Sequence, residues 1–577
     1  MLLGVGGLVV LSAAWIVVTG LLARQQVVKL EDRLQTVKHL VAQGKIDEAE
    51  REAAAVPGMA NRAHLLTSGP AWWAASSVPY FGDPLEVMRG ATAAGKSVGT
   101  DGITTLLNVA KSLDPRTLRS SGDTLKLAPL KAAAPQLKTA AANLDDAINR
   151  VDGLPQNTWF SPINHARLSL SVQLHSIVGY VDAAANATAI LPSMLGDTGT
   201  KRYFVGLQNE AEMRGTGGLP GAFAIVETSH GRIRFTHFAS DNELLPAPTK
   251  QRIYTGLDFG AGYDSAYGGS APTNFIVNSN VSPNFPYAAQ IWSRMWEKIS
   301  GQRIDGAIAV DPTTLAAFLA VTGPVTLPSG LSVDASNVVS ITEKDVYALF
   351  PFDNPARKDF LVSILKASST KLTSGAGSAT TLARTITSVS NENRLQVWSS
   401  DPHVEQVLAA TSYGGAIPTD SRPFSGMVLI NNASGKLDYY LTRTLDYHRS
   451  GCGATRDVFV TITLTNNAPA AGLPLYVLGR LDKHDFPIKP GDNRTLLDYY
   501  ATSGAQLLSA TLNGHPTTMG VQGDLGHRIF RIDIELPRAE TQTLTLHLLE
   551  PGGSGPPQIW RQPGVQPLVV RSVSQRC

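Results

Sequence analysis

Residues 201–227 read KRYFVGLQNEAEMRGTGGLPGAFAIVE. An apolar run from Tyr203 to Leu207 meets a polar knot of Gln208, Asn209, Glu210, Glu212 and Arg214. Gly215-Thr216-Gly217-Gly218-Leu219-Pro220-Gly221 follows, then a second apolar run from Ala222 to Val226. The pattern predicts strand, polar loop, strand, which is how a sheet presents charged groups at its rim. The chemistry such a rim can do is anion handling. The planar fork of Arg214 matches two oxygens at once, and amides of the glycine turn, those of Gly217 and Gly218 among them, can form an anion-binding nest. Asn209 and Glu212 would line the same place. Arg214 can equally pair with Glu210 or Glu212 across its own loop, and the residues alone leave both readings open.

Other constellations point elsewhere with less force. In VNSNVSPNFP (277–286), Asn280 and Asn284 can recognise sugar hydroxyls, although turn chemistry with Ser282 as a helix N-cap is the favoured reading. Asp311 ahead of Pro312 reads as an N-cap. Glu210 or Glu212 with Asp241 would supply the two carboxylates of a glycosidase. The twelve histidines are dispersed, with no HExxH for zinc. There is no GxSxG elbow, and the glycine turn lacks the Lys-Ser/Thr of a phosphate-binding P-loop. The only cysteines, Cys452 and Cys577, can pair in an oxidising compartment or remain two thiols.

The elements that must position these groups are legible in outline. Residues 2–23 carry no charged side chain, enough to cross a hydrocarbon core of roughly 30 Å. A membrane anchor with the bulk of the chain extracytoplasmic is the expectation. Arg24, Lys29 and Arg33 follow the span with no basic residue before it, which opposes that topology under the positive-inside rule; a start site placed too late, trimming a basic leader, would reconcile the two. Val27, Leu30, Leu34, Val37 and Val41 form a heptad seam expected to pack on the next helix. Trp72-Trp73 and Pro79-Tyr80-Phe81 resemble a membrane-proximal loop, with core packing the preferred reading for the tryptophans.

Residues 24–195 read as a helical stalk or bundle. Residues 196–415 alternate strands and helices, the mark of an α/β domain, with 256–273 as a Gly- and Tyr-rich loop. From 424 to 577 the period becomes two, as in Phe530-Ile532-Ile534-Leu536, which predicts a β-sandwich. The fold class expected is therefore multidomain α+β. Lys+Arg 49 against Asp+Glu 47 leaves a net charge of +2, without the basic footprint of a nucleic-acid binder.

QNEAEMRGTGGLPG (208–221), SPNFP (282–286), RIDGAIAVDP (303–312) and TGPV (322–325) together resemble the bacterial domain of unknown function 4012 family, over roughly residues 200–350. More distantly, the layout resembles the LytR-CpsA-Psr family, membrane-anchored enzymes that move glycopolymers from a polyprenyl-pyrophosphate carrier to the cell wall. That resemblance places Asn209 where the family tends to have Asp, Arg214 at its loop arginine, Asp241 at the end of the third strand, and Arg357 at the opening of a later helix. Ser240 stands where the family has the arginine of an Arg-Asp pair, and Asn209 supplies no carboxylate, so the implied Mg²⁺ site is incomplete. The resemblance implies Arg214 and Arg357 gripping phosphates, with Asp241 as base or metal ligand. Two functions follow as expectations: an envelope phosphotransferase acting on a lipid-linked glycan, or a non-catalytic glycan-binding or scaffold protein whose sandwich contacts envelope partners.

Overall fold

The computed structural model describes residues 2–43, 45–114, 118–121, 123–245, 252–482, 484, 486–553 and 555–575. The chain is multidomain α+β and divides into two compact units, residues 1–198 and 199–577.

The first unit is helical. Its opening helix, Leu2–Ala42, is continuous through the apolar run and the heptad seam. Residues 11–41 of it are long and apolar enough to cross a membrane. Leu30, Leu34, Val37 and Val41 pack with Ala49, Ala53, Val56 and Ile103, so the seam from Leu30 onward is covered by helices of its own chain, while Val27 stays exposed. Leu127–Asp152 and Ser161–Met194 form the longest pair. Leu137, Leu144 and Val151 of one meet Leu174, Val178 and Val181 of the other. The paired tryptophans part company: Trp72 is buried and Trp73 is exposed, which corrects the core expectation for the second.

The second unit opens on a sheet whose strands here are β1 (Lys201–Arg214), β2 (Gly217–Ser229), β3 (Arg232–Ser240), β4 (Gly306–Val310) and β5 (Gln396–Ser399). They lie in the order β3-β2-β1-β4-β5, with β4 parallel to β1 and the other neighbours antiparallel. Phe204 and Phe223 stack at 4.7 Å between centroids, and Trp292 of the helix Phe285–Ser300 closes over them. Gly206 makes room for that indole, because a Cβ there would reach its ring at 2.7 Å.

The sequence reading of residues 208–221 as a loop needs correction. β1 runs on to Arg214, and Arg214 pairs with Gly217 across the two-residue turn Gly215-Thr216. The polar knot is instead a bulge. Asn209 faces Leu219 and Met213 faces Gly218, so residues 210–212 have no opposite number. A bulge leaves its extra residues outside the ladder, and these lie inside the protein. Gly218 permits it, since a Cβ would fall inside the carbonyl of Asn209, while Gly217 has φ +143°. Residues 256–273 also differ from the loop expected: Ala261–Tyr267 is helical, anchored by buried Tyr263 and Tyr267.

From Phe424 onward the strands form two sheets that share one apolar core. In spatial order, the first holds residues 520–524, 527–536, 493–501, 424–431 and 558–561; the second holds 515–516, 506–512, 541–551, 455–466, 441–450 and 568–574. Val458, Val460, Ile462, Leu464, Leu544, Leu546 and Leu548 point inward from the second sheet, and Leu497, Tyr499, Phe530 and Ile534 from the first. The period of two sorts these side chains onto one face.

Gly218→Ala is expected to cost about 1–3 kcal/mol by overpacking against backbone. Gly221→Ala, whose nearest neighbour would be 3.9 Å away, should stay within about 0.5 kcal/mol. Thermal unfolding of the two variants decides; equal stability would contradict the bulge geometry.

Candidate functional site

Of the groups singled out by the sequence, Asn209, Glu210, Glu212 and Arg214 sit in or beside the bulge, and charge holds the last three. The N–H groups of Glu210 and Ala211 donate to the carboxylate of Glu343 at 3.0 and 2.5 Å, and that of Met213 donates to Asp438 at 2.8 Å. Buried backbone donors require such partners, because leaving one unmet costs about 1–3 kcal/mol. Burial drives the Glu343 carboxyl up to about 8 against the pull of the two amides.

The two glutamates of the bulge belong to separate clusters. Arg394, just before β5, donates one Nη to both Glu210 and Asp311, at 3.0 and 2.8 Å. Asp311 at the same time caps the helix Pro312–Thr322 through the Thr314 amide at 2.6 Å, as its place before Pro312 predicts. Burial, reinforced by Asp311, raises the Glu210 carboxyl well above its ordinary value despite Arg394.

Glu212 is gripped by Arg214 at 2.8 Å and by Lys436. Burial alone would raise its pKa, but the two cations outweigh it and hold the carboxylate ionised. Arg214 also donates to the carbonyls of Val277 and Met213 at 3.1 and 2.9 Å. Its side chain is 7% exposed, and the pairing with Glu212 is the one the sequence offers beside an anion-binding role.

The other expected site residues are similarly engaged. Asn209 donates to the hydroxyl of Tyr347 at 2.6 Å. Arg357, in the first turn of the helix Asn354–Thr373, lies 3.8 Å from the ring centroid of Tyr476 and 5.4 Å from that of Tyr347. Its guanidinium donates to Asn354 at 2.6 Å. Asp241 follows β3, as expected, and accepts from Lys358 at 2.5 Å. Burial raises its pKa, and Lys358 opposes this. Asn280 donates to Gln208, Thr216 and the Gly218 carbonyl, all at 2.8 Å. Asn284 accepts from the Ile417 amide at 3.0 Å, and Ser282 accepts from the Asn284 amide at 3.2 Å. Asn284, not Ser282, is the residue at the helix N-cap position. Gly217 and Gly218 belong to β2 rather than to an anion nest. Cys452 is disulfide-bonded; Cys577 lies outside the described residues.

Arg214 and Arg357 are thus linked through Glu212, Lys436 and Tyr347, whose charges and dipoles act on one another. A cavity of about 190 Å³ does adjoin the network. Glu343, Lys344, Asp345, Lys436 and Tyr440 are among its lining residues, whereas Arg214, Asp241 and Arg357 are not. A magnesium ion takes several oxygen ligands. Asp241 instead meets the Lys358 ammonium, and among the described residues no group of three or more His, Cys, Asp or Glu side chains comes together for a metal. The residues present do not fit the expected ion.

Glu343, Arg394, Lys436 and Asp438 were not singled out by sequence. Nothing in their spacing marks them, and the only available signal was Lys436 and Asp438 within SGKLDYY (434–440).

Residues 198–347 match a family described as Protein of unknown function (DUF4012). Comparison with curated proteins and with solved structures gives no match. The matched span contains Glu210, Glu212, Arg214, Asp311 and Glu343, but Arg394, Lys436 and Asp438 lie beyond it.

Arg394→Ala should lose about 3–5 kcal/mol, the cost of breaking a buried ion pair from one side. Adding Asp311→Asn, which keeps an N-cap acceptor, should return part of it. Thermal unfolding reads both, and a single-variant loss below about 0.5 kcal/mol would remove Arg394 from this role.

Proposed function

We propose that this chain is a non-catalytic, membrane-anchored protein of the cell envelope that binds glycan or scaffolds envelope partners. The observation that carries the reading is that Arg214, Asp241 and Arg357 are each buried and already held by protein groups. A transferase needs its cations aimed at the place where charge develops on the substrate. Here those cations compensate carboxylates of the same chain or stack on tyrosines.

Anchoring falls to the apolar opening of the helix Leu2–Ala42, with the bulk of the chain outside the membrane. The two C-terminal sheets act as a β-sandwich whose outer face meets partners. One row of that face runs Val573, His448, Phe459 and His547 across four paired strands. Phe459 stacks on His547 at 4.3 Å and stays 44% exposed. Neighbouring rows carry Thr444, Thr463 and Thr543, then Asp446, Thr461 and Thr545. A hydroxyl-rich face with an open aromatic ring suits sugar, whose apolar ring face stacks on aromatic side chains while its hydroxyls hydrogen-bond.

The full chain in detergent should show no Mg²⁺-dependent turnover of a polyprenyl-pyrophosphate glycan. Binding of envelope glycan fragments, followed by calorimetry, should weaken in Phe459→Ala and persist in Arg214→Lys where the latter remains folded. Turnover that vanishes in a folded Arg214 or Arg357 variant would overturn the reading in favour of a transferase.

A further inference from the structure

We propose that one end of the helical unit carries a second membrane contact, an aromatic collar seated in the headgroup interface of the bilayer that the N-terminal helix crosses. The proposal rests on the anchoring reading above and adds to it the segments Pro70–Gly82 and 153–160.

The collar is fixed to the apolar helix at a definite height. Trp72 donates its indole N–H to Thr19 at 2.8 Å, and a Cβ on Gly20 would touch its ring at 3.4 Å. Thr19 precedes Arg24, the first charged residue of the chain, by five positions, about 7 Å of helix rise. Trp15, Val17, Val18, Leu21 and Leu22 of that helix are uncovered, leaving a face for lipid at the same level. Trp72 is therefore packed where hydrocarbon gives way to headgroups.

Around this anchor the chain turns large apolar side chains outward. Trp73 is 63% exposed, Phe81 67% and Trp159 53%, against 1% for Trp72, and Val78, Tyr80 and Phe160 are open as well. They come from two segments that meet: the Trp159 indole donates to the Phe81 carbonyl at 3.3 Å, and the Tyr80 and Phe81 rings lie edge to face at 5.3 Å. The turn is built for this display. Tyr80 holds φ +66°, and the carbonyls of Ala75, Ser76 and Val78 crowd Gly82 so closely that a Cβ would lie 2.6–2.7 Å from them.

An apolar cluster of this kind marks a contact surface. Continuity with the spanning helix, together with the indole and phenol rings that favour the water–lipid boundary, selects a bilayer as its occupant. Two attachments to one bilayer would hold the helical unit at a fixed tilt, where a single helix leaves it free to swivel.

Nitroxide labels on the full chain in phosphatidylcholine vesicles test this, with Cys452 already in a disulfide. Labels at Trp73→Cys, Phe81→Cys and Trp159→Cys should lose relaxation by a water-soluble nickel chelate and gain it from oxygen. A label at Gln136→Cys, exposed on the helix Leu127–Asp152 well away from this end, should show the reverse. Labels at all three collar sites as open to nickel as Gln136→Cys, while Val17→Cys sits in lipid, would overturn the collar and leave the anchor standing. Nickel access at Val17→Cys as well would overturn the anchoring reading itself. Three independent positions guard against one variant that misfolds.

Discussion

One break in a hydrogen-bond ladder organises the second unit. Where β1 bulges between Asn209 and Met213, three backbone amides and two glutamate side chains are left in the interior. These groups are buried, so the protein supplies both anions and cations for them. Glu343 and Asp438 meet the amides, Arg394 joins Glu210 to Asp311, and Arg214 with Lys436 neutralises Glu212. Buried ion pairs add little net stability over apolar packing, but losing one partner is costly. The arrangement therefore specifies which segments must meet more than it strengthens their meeting.

The same accounting bears on function. An arginine serves an anion ligand only when its donors are free at that moment, and the donors of Arg214 already point at Glu212 and two carbonyls. Lys358 does for Asp241 what a metal would do. The family match ends at residue 347, yet its buried acids are compensated by Arg394 and Lys436 and its Met213 amide is met by Asp438. The matched span and the C-terminal sheets behave as one folded body, in accord with the single compact unit 199–577.

Much of this was legible in the sequence wherever the signal is local. Period-two alternation located Val458–Leu464 and Phe530–Leu536, the Asp-Pro pair at 311–312 announced its helix, and the uncharged run at 2–23 announced a helix able to span a membrane. The polar knot reads as a loop where the structure has a bulge, because a bulge and a loop share the same composition. What separates them is whether distant charges arrive, and Glu343, Arg394 and Lys436 stand 132 or more positions from their partners Ala211, Glu210 and Glu212. The tryptophan pair failed for a related reason. Adjacent helical residues face different ways, so Trp72 could pack on Thr19 only by turning Trp73 outward.

The most direct test is hydrogen exchange in the native state at the amides of Glu210, Ala211 and Met213, followed by mass spectrometry on a peptide spanning residues 208–214. If buried carboxylates close the bulge, these amides exchange only when the whole second unit unfolds, and Lys436→Met or Arg394→Met accelerates them together. Exchange within minutes in the unaltered protein, at the pace of an exposed loop, would contradict the account.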